Sequence, residues 1–173
     1  MDSIQEEQII QKTIIHIGRT GSGKSYIANQ FLGKEAFVVG HSVKSETFEP
    51  QVETFFIEAD NCTFQIDVAD TPGTGDNRLD NDKHFIADLL QNVCKFLKGL
   101  QNGFNLTILC VSTLIPRIDE SYLKDFVTLN SLLGSKIFDH SVIALTQTNL
   151  VPKDLRAQRV AEYTKELPNM LAQ

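Results

Sequence analysis

The sequence predicts an α/β domain of three layers, a mostly parallel sheet between helices, and three observations carry that expectation. Apolar runs of strand length alternate along the chain with stretches of helical spacing, the pattern of successive βα units. The segment Gly18-Arg19-Thr20-Gly21-Ser22-Gly23-Lys24-Ser25 fits G-x-x-x-x-G-K-[ST], and it lies between a strand-like run and a helix-like run. A second apolar strand ends in Asp70-Thr71-Pro72-Gly73, about 45 residues after Lys24, the spacing of a magnesium-binding aspartate in phosphate-loop proteins. The expected fold is therefore a P-loop NTPase of the GTPase (G domain) type with one antiparallel edge strand, built as a single domain over residues 1–173.

The elements follow in order. Thr13 to Ile17 is the apolar heart of a first strand from about Lys12 to Ile17, and Lys24 to Leu32 reads as the first helix. From Gly33 to Pro50 the pattern is irregular and rich in Ser, Thr and charge, as in a functional surface loop. Strands at about Glu53–Glu58 and Thr63–Val68 flank Asp60-Asn61, two residues suited to a tight turn, so the pair should be an antiparallel hairpin at one sheet edge. Between Asp82 and Leu100, residues Phe85, Ile86, Leu89, Leu90, Val93, Phe96, Leu97 and Leu100 fall on one helical face. Leu106 to Val111 is almost wholly apolar, as a central parallel strand covered on both faces must be. Helical spacing returns from Asp119 to Leu133, Ser141 to Leu145 reads as another buried strand, and Asp154 to Leu167 as a last helix ending before Pro168. That makes at most six strands and four helices.

A formal net charge of −6 argues against general affinity for nucleic acid, which needs clustered cations to displace counterions. Lys153, Arg156 and Arg159 form the densest basic group, and a solvated helix face accounts for them. Cys62, Cys94 and Cys110 are odd in number, far apart and without metal-ligand spacing, so they read as small buried apolar residues in a reducing compartment, with no disulfide. The start, Met1 to Glu7, is acidic and has no apolar stretch of signal-peptide length, and no segment approaches a membrane span, so a cytoplasmic location is expected.

The chemistry concentrates in four places. In the first loop, glycines let successive N–H groups curl inward around a β-phosphate and the following helix adds its positive end. Arg19, Thr20, Gly21, Ser22, Gly23, Lys24, Ser25 and Tyr26 are the candidate nucleotide contacts there, with Lys24 reaching the β- and γ-phosphates and Ser25 a magnesium ligand. Asp70 is expected to hold Mg2+ through water and the Gly73 N–H to meet a γ-phosphate. Between them, Gly40 to Thr47 is placed to close over that phosphate, with Thr47, Ser45 or Ser42 as the hydroxyl that meets the metal. Lys24, Thr47 and Gly73 are thus the candidate catalytic residues, and Ser25, Thr47 and Asp70 the candidate metal ligands. Finally, Thr146-Gln147-Thr148-Asn149 follows the last strand where guanine-specific proteins place [NT]-K-x-D, which puts Gln147 and Asn149 against the base.

Asn149 can accept one bond from guanine but turns an NH2 donor toward the second, a loss of about 1.5–3 kcal/mol relative to a carboxylate. Thr74 stands where small switch proteins carry a water-orienting Gln, so hydrolysis should be slow. The loop around His41, Arg19 and a second subunit are the remaining sources of a catalytic group. His16, His84 and His140 lack paired metal spacing and read as structural or exposed.

With these residues in place, the chain resembles the AIG/GIMAP-type family, the avirulence-induced or immunity-associated septin-like GTPases. The likeness runs from Ile14 to about Pro152. It rests on Gly18 to Ser25, on Phe37 and Ser42-Val43, on Asp70 to Asp76, and on the stretch from Leu133-Gly134 through Ala144-Leu145-Thr146 to Leu150. The resemblance implies binding of GTP and GDP with Mg2+, slow hydrolysis, and a nucleotide-dependent homodimer whose subunits meet across the nucleotide face. Two other readings stand beside it, a scaffold that binds GDP or GTP without turnover and an ATPase of the P-loop class. The chain departs from the family at Lys44, where a magnesium-contacting threonine is usual, and at Asn149, where an aspartate is usual. The stretch after Asn149 suffices for one helix, so the domain is expected to be C-terminally truncated, lacking the final strand and helix. Membrane association is expected only through segments absent from this sequence.

Overall fold

In the computed structural model, residues 9–39, 50–73, 93–100, 103–115, 130–131, 134, 137 and 139–171 are described. β1 (Ile9–Ile17) lies at the centre of a five-stranded sheet of order β2-β3-β1-β4-β5. It pairs in parallel with β3 (Cys62–Asp70) from Ile9↔Thr63 to His16↔Asp70, and with β4 (Leu106–Ser112) from Ile14↔Leu106 to Ile17↔Leu109. β5 (Ser141–Thr146) continues the parallel set beside β4. β2 (Gln51–Ala59) runs antiparallel to β3, and the two are joined by Asp60 and Asn61 with φ of 52° and 59°, the left-handed pair that a two-residue hairpin turn of type I′ demands. The expected antiparallel edge strand and its turn are both present.

Alternation along β1 sorts the core into two layers. Ile15 and Ile17 face one side with Ala69, Leu109 and Val111, where they pack against Val93 and Leu97 of α2 (residues 93–99) and against Tyr163 and Leu167 of α3 (Lys153–Leu171). On the other side Val68 packs with Ala28 of α1 (Lys24–Leu32) and with Phe37, Leu32, Phe55 and Ile66. Every strand is longer than the sequence periodicity suggested, because ladder bonds carry pairing beyond the apolar residues that signalled it. Residues 130–131 are helical within the predicted helix Asp119–Leu133; the remainder of that helix and residues 82–92 of its predecessor lie outside the described residues.

Four expectations need correcting. β5 is not a buried strand: it borders the described sheet on one side only, and Val142 is 47 % exposed. α3 continues to Leu171 rather than stopping before Pro168; a proline forfeits one backbone bond, and burial of Tyr163 and Leu167 just ahead of it keeps the helix seated. Cys62 is only half-buried, since it opens β3 beside the hairpin turn, whereas Cys94 and Cys110 are buried. Arg156 and Arg159 are not a merely solvated face. Arg156 donates to the carbonyls of Asn149 (2.9 Å) and Val151 (3.2 Å), and Arg159 to those of Thr113 (2.9 Å) and Ile115 (3.3 Å).

Three polar residues inside the sheet layers gave no warning in the sequence. Asp67 accepts from Gln11 (2.6 Å), Thr54 (2.6 Å) and Gln65 (3.2 Å); burial pushes its carboxyl up, and these three bonds together hold it below its ordinary value. Buried Asn29 on α1 accepts from the amides of Ala36 (3.0 Å) and Phe37 (2.8 Å) and donates to the Phe37 carbonyl (2.8 Å), fixing the chain after the helix as it turns back to seat Phe37. His16 is wholly buried with its ring edge-on to Phe31, centroids 5.7 Å apart, and Nδ1 3.2 Å from the Ala69 carbonyl. Because a carbonyl only accepts, the proton sits on Nδ1. Burial lowers its pKa from 6.5 to about 4, the Ala69 carbonyl opposing the shift and the Lys24 charge adding to it.

Asn29→Ala should therefore lower stability by about 2–3 kcal/mol, since it strands buried amide and carbonyl groups of Phe37, and chemical denaturation would show it. His16 makes a pH prediction. Between pH 6.5 and about 4 the unfolded chain binds a proton at His16 that the folded chain refuses, so stability falls as pH drops through that window and levels below it. The contribution is about 3 kcal/mol in all. Urea midpoints at pH 7 and 4.5 should converge in His16→Gln relative to the parent, and an unchanged slope would assign the effect to another group.

Candidate functional site

The carboxyl ends of β1, β3, β4 and β5 open onto one edge of the sheet, and the first, second and fourth of the sequence motifs are set out along it, the third, Gly40 to Thr47, lying outside the described residues. Gly18 leaves β1 so close to β4 that a side chain there would meet the Cys110 carbonyl at 2.4 Å. Ser22 N–H donates to the Arg19 carbonyl at 3.0 Å, closing the curl, and Gly23 at φ 85° starts α1. Only glycine takes that conformation without strain. The helix start carries no side-chain cap and no acidic residue in its first turn, so its leading N–H groups remain available to an anion.

Lys24 is buried, with Nζ 3.1 Å from the Arg19 carbonyl. Burial lowers its pKa while the nearby Asp70 carboxylate raises it, and the net direction is down. Ser25 Oγ donates to Asp70 Oδ2 at 2.6 Å, so the last residue of β3 and the first turn of α1 meet at the mouth of the loop. Hydroxyl and carboxylate oxygens are the ligands a small hard cation takes. Among the described residues there is no cluster of three or more His, Cys, Asp or Glu, and Ser25 and Asp70 are the described side chains placed to hold a cation here. Thr20 Oγ1 and Ser22 Oγ are buried without a hydrogen-bond partner among the described residues, which adds two polar atoms to the same cradle. Tyr26 directs its ring to solvent, leaving its amide as its contribution.

Beyond Asp70, the Thr71 hydroxyl donates to the His16 carbonyl at 2.6 Å and pins the turn to β1. Gly73 then lies against the loop, with no room for a side chain because Thr20 N would be 2.4 Å away. The fourth motif is tied to the first. Thr146 Oγ1 donates to the Ser22 carbonyl (2.6 Å) and Gln147 Nε2 to the Gly21 carbonyl (3.1 Å). Ser112 Oγ donates to Gln147 Oε1, so both ends of that amide are engaged by the protein and Gln147 acts as a tether. Asn149 stands exposed in the 3-10 turn Thr148–Leu150 with its side chain toward solvent.

The structure thus brings together Arg19 to Ser25, Asp70, Gly73 and Gln147, with Asn149 two residues from the tether. Thr47, Ser45, Ser42 and His41, as well as Thr74 and His84, lie outside the described residues. His140 is exposed and His16 is structural. Sequence reasoning missed Thr71, Ser112 and Thr113, the last donating its hydroxyl to the Thr146 carbonyl at 2.9 Å. Their one signal is position: each is a hydroxyl residue at or just beyond the carboxyl end of an apolar strand.

Comparison with known proteins bears on the fold and the family. Immune-associated nucleotide-binding protein 4 of Arabidopsis thaliana is 30 % identical over 142 residues, covering 78 % of this chain and 39 % of the relative. The chain thus spans about two fifths of that relative's length. Toc33 from Arabidopsis thaliana, solved in complex with GDP and Mg2+, superposes with a TM-score of 0.73 at 19 % identity, over 93 % of this chain and 61 % of that one. A structure of the chloroplast translocon components atToc33 and psToc159, in which dimerization is important for GTPase activity, superposes with a TM-score of 0.76 at 18 % identity, over 94 % and 61 % of the two chains. At such identities the two superpositions establish a GTPase G-domain fold. Residues 12–173 match the AIG1 family over nearly the whole sequence, and the chain belongs to that family.

Proposed function

We propose that this chain is a guanine-nucleotide switch domain that binds GTP or GDP with Mg2+, hydrolyses GTP slowly, and self-associates according to the nucleotide held. The observation that carries the reading is the meeting of Lys24, Ser25 and Asp70 at the mouth of a glycine-rich loop that leads into an uncapped helix start. On this reading the amides of Gly21 and of Gly23 to Tyr26, with the Lys24 ammonium, bind phosphate, Ser25 and, through water, Asp70 hold Mg2+, and the Gly73 N–H senses a terminal phosphate. The metal would supply charge neutralisation on the phosphate oxygens. Toc33's GDP and Mg2+ and the family's nucleotide-binding members support the ligand class. The dimer-dependent activity of the Toc components supports self-association as the route to hydrolysis.

Thr74 in place of a water-orienting Gln favours a second reading, a scaffold that holds nucleotide without turnover. Single-turnover hydrolysis at rising protein concentration separates the two. Acceleration supports the dimer-activated enzyme, and a flat rate near zero supports the scaffold. Competition of ATP against GTP decides whether the ATPase reading stands.

Lys24→Ala should abolish measurable triphosphate binding by calorimetry, and undiminished affinity would overturn the phosphate assignment. Asn149→Asp should tighten GDP binding by about tenfold, by restoring a charge-assisted acceptor. An unchanged Kd would move the base away from Asn149.

A further inference from the structure

α3 presents Arg156, Arg159 and Tyr163 at helical spacing on one face, and all three donate to backbone carbonyls of the loops that leave β4 and β5. Arg159 and Tyr163 grip the segment after β4, through Thr113 and Ile115. Arg156 grips the segment after β5. A single guanidinium nitrogen, Nη2, reaches the carbonyls of Asn149 at 2.9 Å and Val151 at 3.2 Å.

The segment it holds has little rigidity of its own. The 3-10 turn Thr148–Leu150 is closed by Leu150 N–H to the Gln147 carbonyl (3.0 Å) and Val151 N–H to the Thr148 carbonyl (3.3 Å), and Gln147 enters it at φ 57°, a conformation that costs a side-chain-bearing residue energy. Its entry is fastened to the phosphate loop by Thr146 and Gln147. Its exit is fastened by buried Val151 and by Arg156. Asn149 lies between those two anchors with its side chain exposed.

We propose that Arg156 is a positioning residue for base recognition, holding the Asn149 carbonyl so that the Asn149 amide is presented at a fixed height beside the phosphate loop. The inference rests on the reading that a guanine base lies against Asn149. Among the described residues both hydrogen bonds of Arg156 go to backbone carbonyls, so it would act through the turn and not on the nucleotide. A guanidinium suits the task because the two N–H bonds of one planar nitrogen diverge toward the two carbonyls in a fixed geometry, whereas a lysine ammonium turns freely on a flexible stem.

The test compares a ligand that has a base with one that has none. Calorimetric Kd values for GDP and for inorganic tripolyphosphate, both with Mg2+, are measured on the full chain, on Arg156→Ala and on Arg156→Lys, with circular dichroism to establish folding. The expected result is GDP binding weakened about tenfold in Arg156→Ala and less in Arg156→Lys, with tripolyphosphate unchanged within about twofold. Equal weakening of both ligands would make Arg156 a general structural residue and overturn the proposal, as would GDP binding unaffected in both variants. If Arg156→Ala does not fold, Arg156→Lys decides by the same ratio. Should the parent bind GDP no more tightly than tripolyphosphate, the base reading fails first and the proposal with it.

Discussion

Backbone packed directly on backbone at the carboxyl end of β1 is the constraint from which the rest of the site is arranged. Gly18 against the Cys110 carbonyl and Gly73 against Thr20 N leave no space for even a methyl group, so the loop is wedged between β4 and the turn that follows β3. Hydrogen bonds then reach the wedge from neighbouring strands. Thr71 catches the last residues of β1, while Thr146 and Gln147 catch Ser22 and Gly21 from the far side of β4. A cradle for phosphate has to present amides at fixed positions, and here those positions are set by three separate strand ends rather than by the loop alone.

Electrostatically the same region is a buried cation with incomplete local compensation. Lys24 loses hydration on burial, and the Asp70 carboxylate and the Arg19 carbonyl return part of it. On the proposed function, an anion entering beside the helix start would supply the remainder of the compensation that so costly a burial requires. The neighbours are chosen to stay uncharged. Burial holds the Cys110 thiol at a pKa of about 12 against the opposing pull of Lys24, and His16 remains neutral down to about pH 4. Neither competes with Asp70 or Lys24 for charge near neutrality.

What could be read directly from the sequence was whatever depends on local pattern. The bounds of α1, the Asp60-Asn61 hairpin and the order of strands follow from periodicity and turn chemistry, and the loop from Gly18 to Ser25 from spacing. What escaped depends on partners distant in the chain. Asn29 looks like an ordinary helical polar residue until Phe37 folds back on it, and Asp67 looks out of place in an apolar strand until Gln11 and Thr54 arrive from β1 and β2. Arg156 and Arg159 read as solvated charge because a sequence does not show which carbonyls a long side chain will reach. Gln147 was legible as a member of the base motif, but its engagement by Ser112 and Gly21 was not.

The register of the hairpin carries one further consequence. Gln51, the first residue of β2, sits opposite Asp70, the last residue of β3. The point where the chain comes into the sheet after the long polar loop and the point where it departs toward Gly73 therefore share a single rung. That rung also holds the backbone of the residue whose carboxylate accepts from Ser25, so the strand pairing at the sheet edge and the contact with the first helix are fastened at the same residue.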